Sequence, residues 1–551
     1  MTSETSRTSA LPAWRAGSSR VPERGPADWE GLRVVVAGFA VSGAAAAYAL
    51  AERGAKVLAV DSREGAGEQE RAKLLDVLGG RVALGPGASD ALHTVDGNPP
   101  DLVIASPGWR PSAPLLAQAA RAGIPVWGEV ELAWRLRGTA GPVGAPVGPA
   151  SSAPWLCVTG TNGKTTTTTM LASILRAHGL RATTAGNIGT PLVEAVLDPA
   201  GADVLAVELS SFQLHGAHTL APRASAVLNL AADHLDWHGS MGAYAADKGR
   251  IYTDTERACV YNADERPDGQ DWPTTEQLVV DADVQEGCRA IGFTLGVPGL
   301  SMLGVVDDVL ADRAYVADRA NSAAELCTLA DLADASGGVV APHVVANALA
   351  AAALARAHGV SQQAVRDGLL STRPGAHRIA VVARSGGVAW VDDSKATNAH
   401  AAAASLAGAA AAAGPDAHDG TRVVWVAGGL AKGAQFDDLV GAQASRLRAA
   451  VLIGTDREPL RGALERRAPG VPVVEVDAAA ASAAGGVMPA AVRAAAAAAL
   501  PGDVVLLAPA SASMDQFSSY AERGDAFAAA VRALLDPSTD DSTGSSTEGE
   551  G

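Results

Sequence analysis

The sequence predicts an α/β protein of three domains, each built on a mostly parallel sheet. Short apolar, strand-like runs alternate with helix-like segments through most of the 551 residues, the pattern of strands linked by crossover helices. One run, Cys157-Val158-Thr159, leads into a Gly-rich turn that opens a helix. Residues 138–154, dense in Gly, Pro, Ala and Ser, interrupt the alternation as a linker or flexible insertion would. A chain of this length exceeds what one core supports. The expected organisation is an arm over 1–28, domains over 29–128, 129–375 and 376–536, and an acidic tail over 537–551. Both end segments are too polar to pack.

The first domain opens on Leu32-Arg33-Val34-Val35-Val36-Ala37, a buried-strand run. Gly38-Phe39-Ala40-Val41-Ser42-Gly43 follows, then an Ala-rich helix to Arg53, and a strand over 56–60 that ends at Asp61. This βαβ unit with an acid closing its second strand suggests a nucleotide site, although Ala40 stands where a dinucleotide fingerprint has its next Gly. A strand over 101–105 ends in Ser106-Pro107-Gly108, and Ile124-Pro125-Val126-Trp127 closes the unit.

The second domain carries Thr159-Gly160-Thr161-Asn162-Gly163-Lys164-Thr165-Thr166, with a helix expected over 167–178. Glycines let backbone N–H groups approach an anion, and the helix start adds its positive end. Lys164 would neutralise β/γ-phosphate charge and the Thr165 hydroxyl would ligate Mg²⁺. The position six before Lys164 is Val158 rather than Gly, so the turn departs from the general phosphate-loop pattern. The chain is expected to bind a nucleoside triphosphate.

Further strands are expected over 204–208 and 226–229, a helix over 344–358, and irregular inserted loops over about 264–335. Glu208 ends its strand beside the phosphate loop, where an acid commonly holds Mg²⁺; a capped strand end in solvent is the alternative. Asp233-His234-Leu235-Asp236-Trp237-His238 groups two acids with two histidines after a strand. His234 is a candidate for a metal or a transferred phosphoryl group, against a structural histidine. Lys248, taken alone, is an ordinary surface lysine.

The third domain is expected to be another parallel α/β unit. Three turns follow its strands: Asp393-Ser394-Lys395-Ala396-Thr397-Asn398, Gly428-Gly429-Leu430-Ala431-Lys432-Gly433 and Ser511-Ala512-Ser513-Met514-Asp515-Gln516-Phe517. Lysines and hydroxyls on one sheet edge suit an anionic second substrate.

The charge of −17 leaves no broad basic surface for nucleic acid. Four cysteines without metal-ligand or pairing spacing fit a reducing compartment. No run of about eighteen apolar residues suggests a membrane span, and the first thirty residues lack a signal-peptide core. The expectation is a cytoplasmic, monomeric protein acting on small molecules.

Together these motifs resemble the Mur ligases of bacterial cell-wall synthesis, from about residue 31 to 535. Thr-Gly-Thr-Asn-Gly-Lys-Thr at 159–165 is similar to the signature of the whole superfamily. Glu-Leu-Ser-Ser-Phe-Gln at 208–213, Asp-Ser-Lys-Ala-Thr-Asn at 393–398, and Ser513 with Asp-Gln-Phe and Arg523-Gly524 resemble the members that add D-glutamate to UDP-N-acetylmuramoyl-L-alanine. The resemblance implies a Rossmann-like UDP-binding domain, a phosphate-loop ATPase domain and a Rossmann-like C-terminal domain that brings the amino acid. It implies ATP on Gly160, Thr161, Asn162, Gly163, Lys164, Thr165, Thr166, Asn347, Arg378 and Asp393. Ser42, Asp61, Arg63, Ser106 and Asn187 match positions at the UDP-sugar. Lys395, Thr397, Lys432, Ser513 and Tyr520 match the D-glutamate site. Two Mg²⁺ sites are implied, one on Thr165 and Glu208, one served by His234 and a carbamylated Lys248. Lys164, Glu208, His234 and Lys248 are then the catalytic set. Val344 and Tyr520 stand where the best-known members carry Asn and Phe.

Another superfamily member, adding L-alanine or extending folates, is the nearest rival, but a folate enzyme lacks a UDP-type first domain like residues 31–128. A dinucleotide-dependent dehydrogenase would account for residues 38–61 and leave the phosphate loop unexplained. A non-enzymatic nucleotide-gated module would be expected to have lost some of the catalytic set.

Overall fold

The computed structural model describes residues 29–138, 152–266, 271–336, 340–372, 377–409 and 420–536. The expected arm, the expected tail and most of the 138–154 linker lie outside these residues.

The first sheet contains β1 (Arg33–Ala37), β2 (Lys56–Asp61), β3 (Arg81–Leu84), β4 (Leu102–Ala105) and β5 (Val126–Gly128). Its order is β3-β2-β1-β4-β5 and all pairs are parallel. Val34, Val35 and Val36 are buried on both faces, as a central parallel strand requires. The chain leaves β1 toward β2 and later returns beside it as β4. This reversal opens a crevice at the carboxyl ends of the strands. A Cβ on Gly38 would come within 2.9 Å of Ser106 Oγ and 2.7 Å of Trp109 Nε1, so the crevice floor closes only around a glycine.

The second sheet contains β6 (Trp155–Thr159), β7 (Ala182–Gly186), β8 (Val204–Glu208), β9 (Ala224–Val227), β10 (Ala258–Asn262), β11 (Arg289–Phe293), β12 (Met302–Val306), β13 (Val309–Asp312) and β14 (Ala324–Thr328). Its order is β14-β13-β12-β11-β10-β9-β6-β8-β7. The fully buried β6 lies between β8 and β9. Residues 264–335, expected to be irregular, instead form four strands and the helices Thr275–Val280 and Leu329–Ser336. A two-residue turn with Asp307 at φ +54° joins β12 to antiparallel β13. Strands this short carry little periodic signal and gain stability from pairing at the sheet edge.

The third sheet contains β15 (Ala380–Ser385), β16 (Val388–Asp392), β17 (Val423–Gly428), β18 (Leu447–Ile453), β19 (Val473–Glu475) and β20 (Val504–Leu507) in the order β15-β16-β20-β17-β18-β19. It departs from the expected all-parallel unit at one edge, where β15 runs antiparallel to β16. Gly386 and Gly387 both have positive φ, which permits the tight hairpin.

The described residues pack as two compact units. One holds the first and second sheets; the other holds the third sheet together with short segments from mid-chain, Ala231–Gly239 among them. Within the first unit the helix Glu129–Leu136 joins the two sheets. Glu131, fully buried, accepts from the backbone N–H of His218 at 2.7 Å and of Thr219 at 2.8 Å, from Thr219 Oγ1 at 2.8 Å and from Arg135 Nε at 2.6 Å. A buried carboxylate with this many donors is stable as an anion. Among the described residues no helix is long and apolar enough to cross a membrane.

Candidate active site

The loop after β6 is shaped by its glycines. Gly160 has φ +152° and Gly163 φ +83°; Gly163 is the N-cap of the helix Lys164–Ala177. A Cβ on Gly163 would lie 2.3 Å from Asn347 Oδ1, so Asn347, on the helix Pro342–Ala357, sits directly against the loop. This brings Asn347 to Gly160, Thr161, Asn162, Lys164, Thr165 and Thr166. The predicted helix starts were three residues late at 167 and two late at 344. The first turn of each, Lys-Thr-Thr and Pro-His, reads as loop from local propensity alone.

Lys164 Nζ donates to the carbonyls of Gly160 at 3.0 Å and Thr161 at 2.9 Å. Lys248 Nζ donates to the same Gly160 carbonyl at 2.9 Å. Lys248 is 2% exposed, which corrects its reading as an ordinary surface lysine. It lies on the inner face of the helix Met241–Gly249 and its ammonium stands 4.6 Å from the Tyr244 ring centroid.

Glu208 ends β8 and is 1% exposed, which removes the alternative of a strand end in solvent. Asn187 Nδ2 donates to Glu208 Oε1 at 2.8 Å, and the Asn187 N–H to the Glu208 carbonyl at 2.8 Å. Glu208 Oε2 is buried without a hydrogen-bond partner. An unpaired buried carboxylate oxygen is costly, and its position beside an anion-cradling loop fits a cation. Among the described residues no group of three or more His, Cys, Asp or Glu could hold a metal. The donor set of Glu208 and the Thr165 hydroxyl fits an ion held largely by phosphate oxygens and water, as Mg²⁺ usually is.

In the first sheet, Asp61 Oδ2 accepts from the Phe39 N–H at 2.7 Å and Oδ1 from the Arg63 N–H at 2.9 Å. The Arg63 guanidinium adds bonds of 3.1 and 2.8 Å. Burial would raise this carboxyl, but the guanidinium and the two N–H groups outweigh it and hold it at about 2. Asp61 thus pins the Gly38-Phe39 turn. Ser106 Oγ donates to the Gly38 carbonyl at 2.9 Å. Ser42 lies in the first turn of the helix Val41–Ala51, so Ser42, Asp61, Arg63 and Ser106 share one sheet edge. Asn187, assigned to the same substrate, follows β7 of the second sheet.

In the second unit, His234 has φ +53° and precedes the short helix Leu235–His238. Its neighbour Asp233 accepts from Asn398 Nδ2 at 3.4 Å. Asp393 follows β16 and is 7% exposed; burial raises its carboxyl to about 6, opposed by a bond from Ser405 Oγ and by the charge of Arg378. Lys395 Nζ lies 3.8 Å from the Tyr520 ring centroid, and the Thr397 N–H donates to the Lys395 carbonyl at 2.8 Å. Lys432, at φ +52°, follows the turn after β17; Ser513 follows β20 and is 4% exposed. Since β20 lies between β16 and β17, the three turns share one edge.

Two family models match this chain: the Mur ligase middle domain over residues 158–355 and the Mur ligase glutamate ligase domain over residues 377–511. A protein of Streptomyces avermitilis named UDP-N-acetylmuramoylalanine–D-glutamate ligase is 54% identical over 507 residues, 92% of this chain and 99% of that protein. A protein of Leifsonia xyli subsp. xyli with the same name is 50% identical over 557 residues, covering 100% of both chains. The chain belongs to the Mur ligase family. Its fold is also that of a solved UDP-N-acetylmuramate–alanine ligase of Thermotoga maritima, with a TM-score of 0.50 at 18% identity, covering 91% of this chain and 100% of the other.

Three residues of this Mur ligase brace its candidate site in roles that the motifs did not assign. Asn229 grips the phosphate loop, its Oδ1 accepting from the Asn162 N–H at 2.9 Å and its Nδ2 donating to the Asn162 carbonyl at 3.1 Å. Tyr244 OH lies 3.1 Å from Thr161 Oγ1. Arg523, 1% exposed, donates to Ser394 Oγ at 3.0 Å, to the Ser394 carbonyl at 2.9 Å and to the Ser511 carbonyl at 3.1 Å, tying two of the three turns together. Burial lowers this guanidinium to about 10. The only sequence signal for Asn229 was its place directly after a strand. Tyr244 was legible as the residue one helical turn before Lys248. Arg523 carried none beyond its place in the family ending.

Proposed function

We propose that this Mur ligase joins D-glutamate to UDP-N-acetylmuramoyl-L-alanine, converting ATP to ADP and phosphate through an acyl-phosphate intermediate. The reading is carried by the phosphate loop with Lys164 beside a buried Glu208 that keeps one oxygen unpaired, in a chain matched end to end by relatives bearing the D-glutamate ligase name.

In this reading Gly160, Thr161, Asn162, Gly163, Thr165 and Thr166 cradle the phosphates, while Asn347, Arg378 and Asp393 contact the rest of the nucleotide. Ser42, Asp61, Arg63, Ser106 and Asn187 hold the UDP-sugar. Lys395, Thr397, Lys432, Ser513 and Tyr520 receive the two carboxylates of D-glutamate. Thr165 and Glu208 would hold one Mg²⁺, and His234 and Lys248 would serve a second. When bound, Mg²⁺ draws charge from the phosphate oxygens and assists displacement of ADP. Lys164 leaves the Gly160 and Thr161 carbonyls to balance the charge of the transferring phosphoryl group. The substrate carboxylate takes that group from ATP; the neutral amine of D-glutamate then attacks the acyl carbon, and phosphate leaves.

An ammonium at Lys248 would repel a cation. Addition of CO₂ to the neutral amine, with loss of one proton, makes a carbamate that can ligate it, so we assign Lys248 as carbamylated. The reading also carries a monomeric chain acting in the cytoplasm.

Phosphate release from ATP and Mg²⁺ should require both UDP-N-acetylmuramoyl-L-alanine and D-glutamate. Equal release with L-alanine in place of D-glutamate, or with no amino acid, overturns the assignment.

A further inference from the structure

Glu129 begins the helix that follows β5, at the carboxyl edge of the first sheet where Ser42 and Ser106 also lie. It is 2% exposed. Its Oε1 accepts from the Val193 N–H at 3.4 Å, and the Ser42 hydroxyl and the Leu192 N–H lie near enough to lower its carboxyl. Leu192 and Val193 start the helix Leu192–Leu197, whose N-cap is Pro191 and has no side-chain cap. The first N–H groups of a helix need an acceptor from outside it, and here a carboxylate from a different sheet provides one. This helix follows directly on the turn that carries Asn187, the residue bonded to Glu208.

One carboxylate therefore bonds the segment that presents Asn187 and stands near the first turn after β1. Its other oxygen, Oε2, is buried with no hydrogen-bond partner. Burial raises the carboxyl to about 7, opposed by Ser42, Val193 and Leu192 and reinforced by Glu194. Burying such a group is unfavourable compared with an apolar side chain of the same size, so packing does not account for it. We propose that Glu129 is a positioning residue for the nucleotide-sugar substrate, anchoring the start of the helix Leu192–Leu197 to the edge of the first sheet so that the Asn187 turn is held against the ligand edge of that sheet. The inference rests on the reading of Ser42 and Asn187 as contacts of the UDP-sugar.

Glu129→Met keeps the volume and removes the acceptors; Glu129→Gln keeps one acceptor oxygen without the charge. Glu129→Met should raise KM for UDP-N-acetylmuramoyl-L-alanine about tenfold, the scale of one or two lost hydrogen bonds, while KM for ATP, KM for D-glutamate and kcat stay within about twofold. Glu129→Gln should restore KM to within about threefold of the native chain. Calorimetric titration of each folded variant with UDP-N-acetylmuramoyl-L-alanine, without ATP, should give the same order of affinity. An unchanged KM in Glu129→Met, or a parallel rise in all three KM values with a fall in kcat, overturns the proposal. So does a Glu129→Gln variant as impaired as Glu129→Met. If Glu129→Met does not fold, Glu129→Leu takes its place with the same expected and overturning results. If the native chain itself fails to bind the UDP-sugar, the functional reading falls first and this inference with it.

Discussion

Lys164 and Lys248 donate to one backbone oxygen, the carbonyl of Gly160, at 3.0 and 2.9 Å. Two ammonium groups bonded to one oxygen lie no more than ~6 Å apart, which at an effective dielectric of ~20 amounts to roughly 3 kcal/mol of repulsion. Triphosphate would draw Lys164 away, and carbamylation would convert Lys248 from a competitor for the carbonyl into an anion. The pair is thus organised for a polyanion.

Lys248→Ala should therefore lower phosphate release by more than about a hundredfold, and millimolar acetate or formate should restore part of it by filling the vacated space with a carboxylate. Lys248→Arg should show no such recovery, because it keeps a cation there. Near-normal turnover in Lys248→Ala would remove the residue from the site; loss without recovery in either acid would remove the carbamate.

Lys164→Ala should abolish phosphoryl transfer and leave affinity for UDP-N-acetylmuramoyl-L-alanine within about twofold. Lys164 belongs to the second sheet's loop, whereas most of the assigned UDP-sugar contacts line the first. Calorimetry with the UDP-sugar alone checks this, and joint loss of binding and activity would show that the two sites are not separable.

Gly163→Ala probes the loop without touching charge. The added Cβ meets Asn347 Oδ1 at 2.3 Å in a backbone with φ +83°. The strain and the clash should weaken ATP binding by at least about tenfold, with a left-handed non-glycine residue costing about 1 kcal/mol before the clash is counted. Fluorescent nucleotide titration would reveal it, and unchanged affinity would show that Asn347 does not rest on the loop in solution.

Asp393 gives a stability test. Its carboxyl is raised from 3.8 to about 6 when folded, so the folded state binds a proton more tightly than the unfolded one. Its contribution is most favourable below the unfolded value and is lost as pH rises through about 6. Two pKa units correspond to about 3 kcal/mol. Asp393→Asn should accordingly raise Tm at pH 8 and have little effect at pH 4, while lowering activity at pH 8. A Tm that falls equally at both values would show that the carboxylate's bonds outweigh its burial.

Sequence alone determined what depends on short-range chemistry. A glycine turn between an apolar run and a helix specifies an anion cradle wherever the chain folds, because φ preference and helix polarity are local. The acids and lysines that follow strands, such as Glu208, Asp393 and Lys395, were likewise legible, since parallel strands deliver their carboxyl ends to one edge. Tertiary structure alone decided which of those groups are satisfied. Glu208 keeps an unpaired oxygen because Asn187, from a neighbouring strand, takes the other. Lys248 is buried because its helix packs behind the phosphate loop, and nothing in the residues around Lys248 reports that loop. Arg523 and Glu129 each link segments far apart in the chain, and β12 to β14 become strands only by pairing at the edge of the second sheet. Burial and long-range pairing arise from chain crossings, and a local pattern of residue types does not encode them.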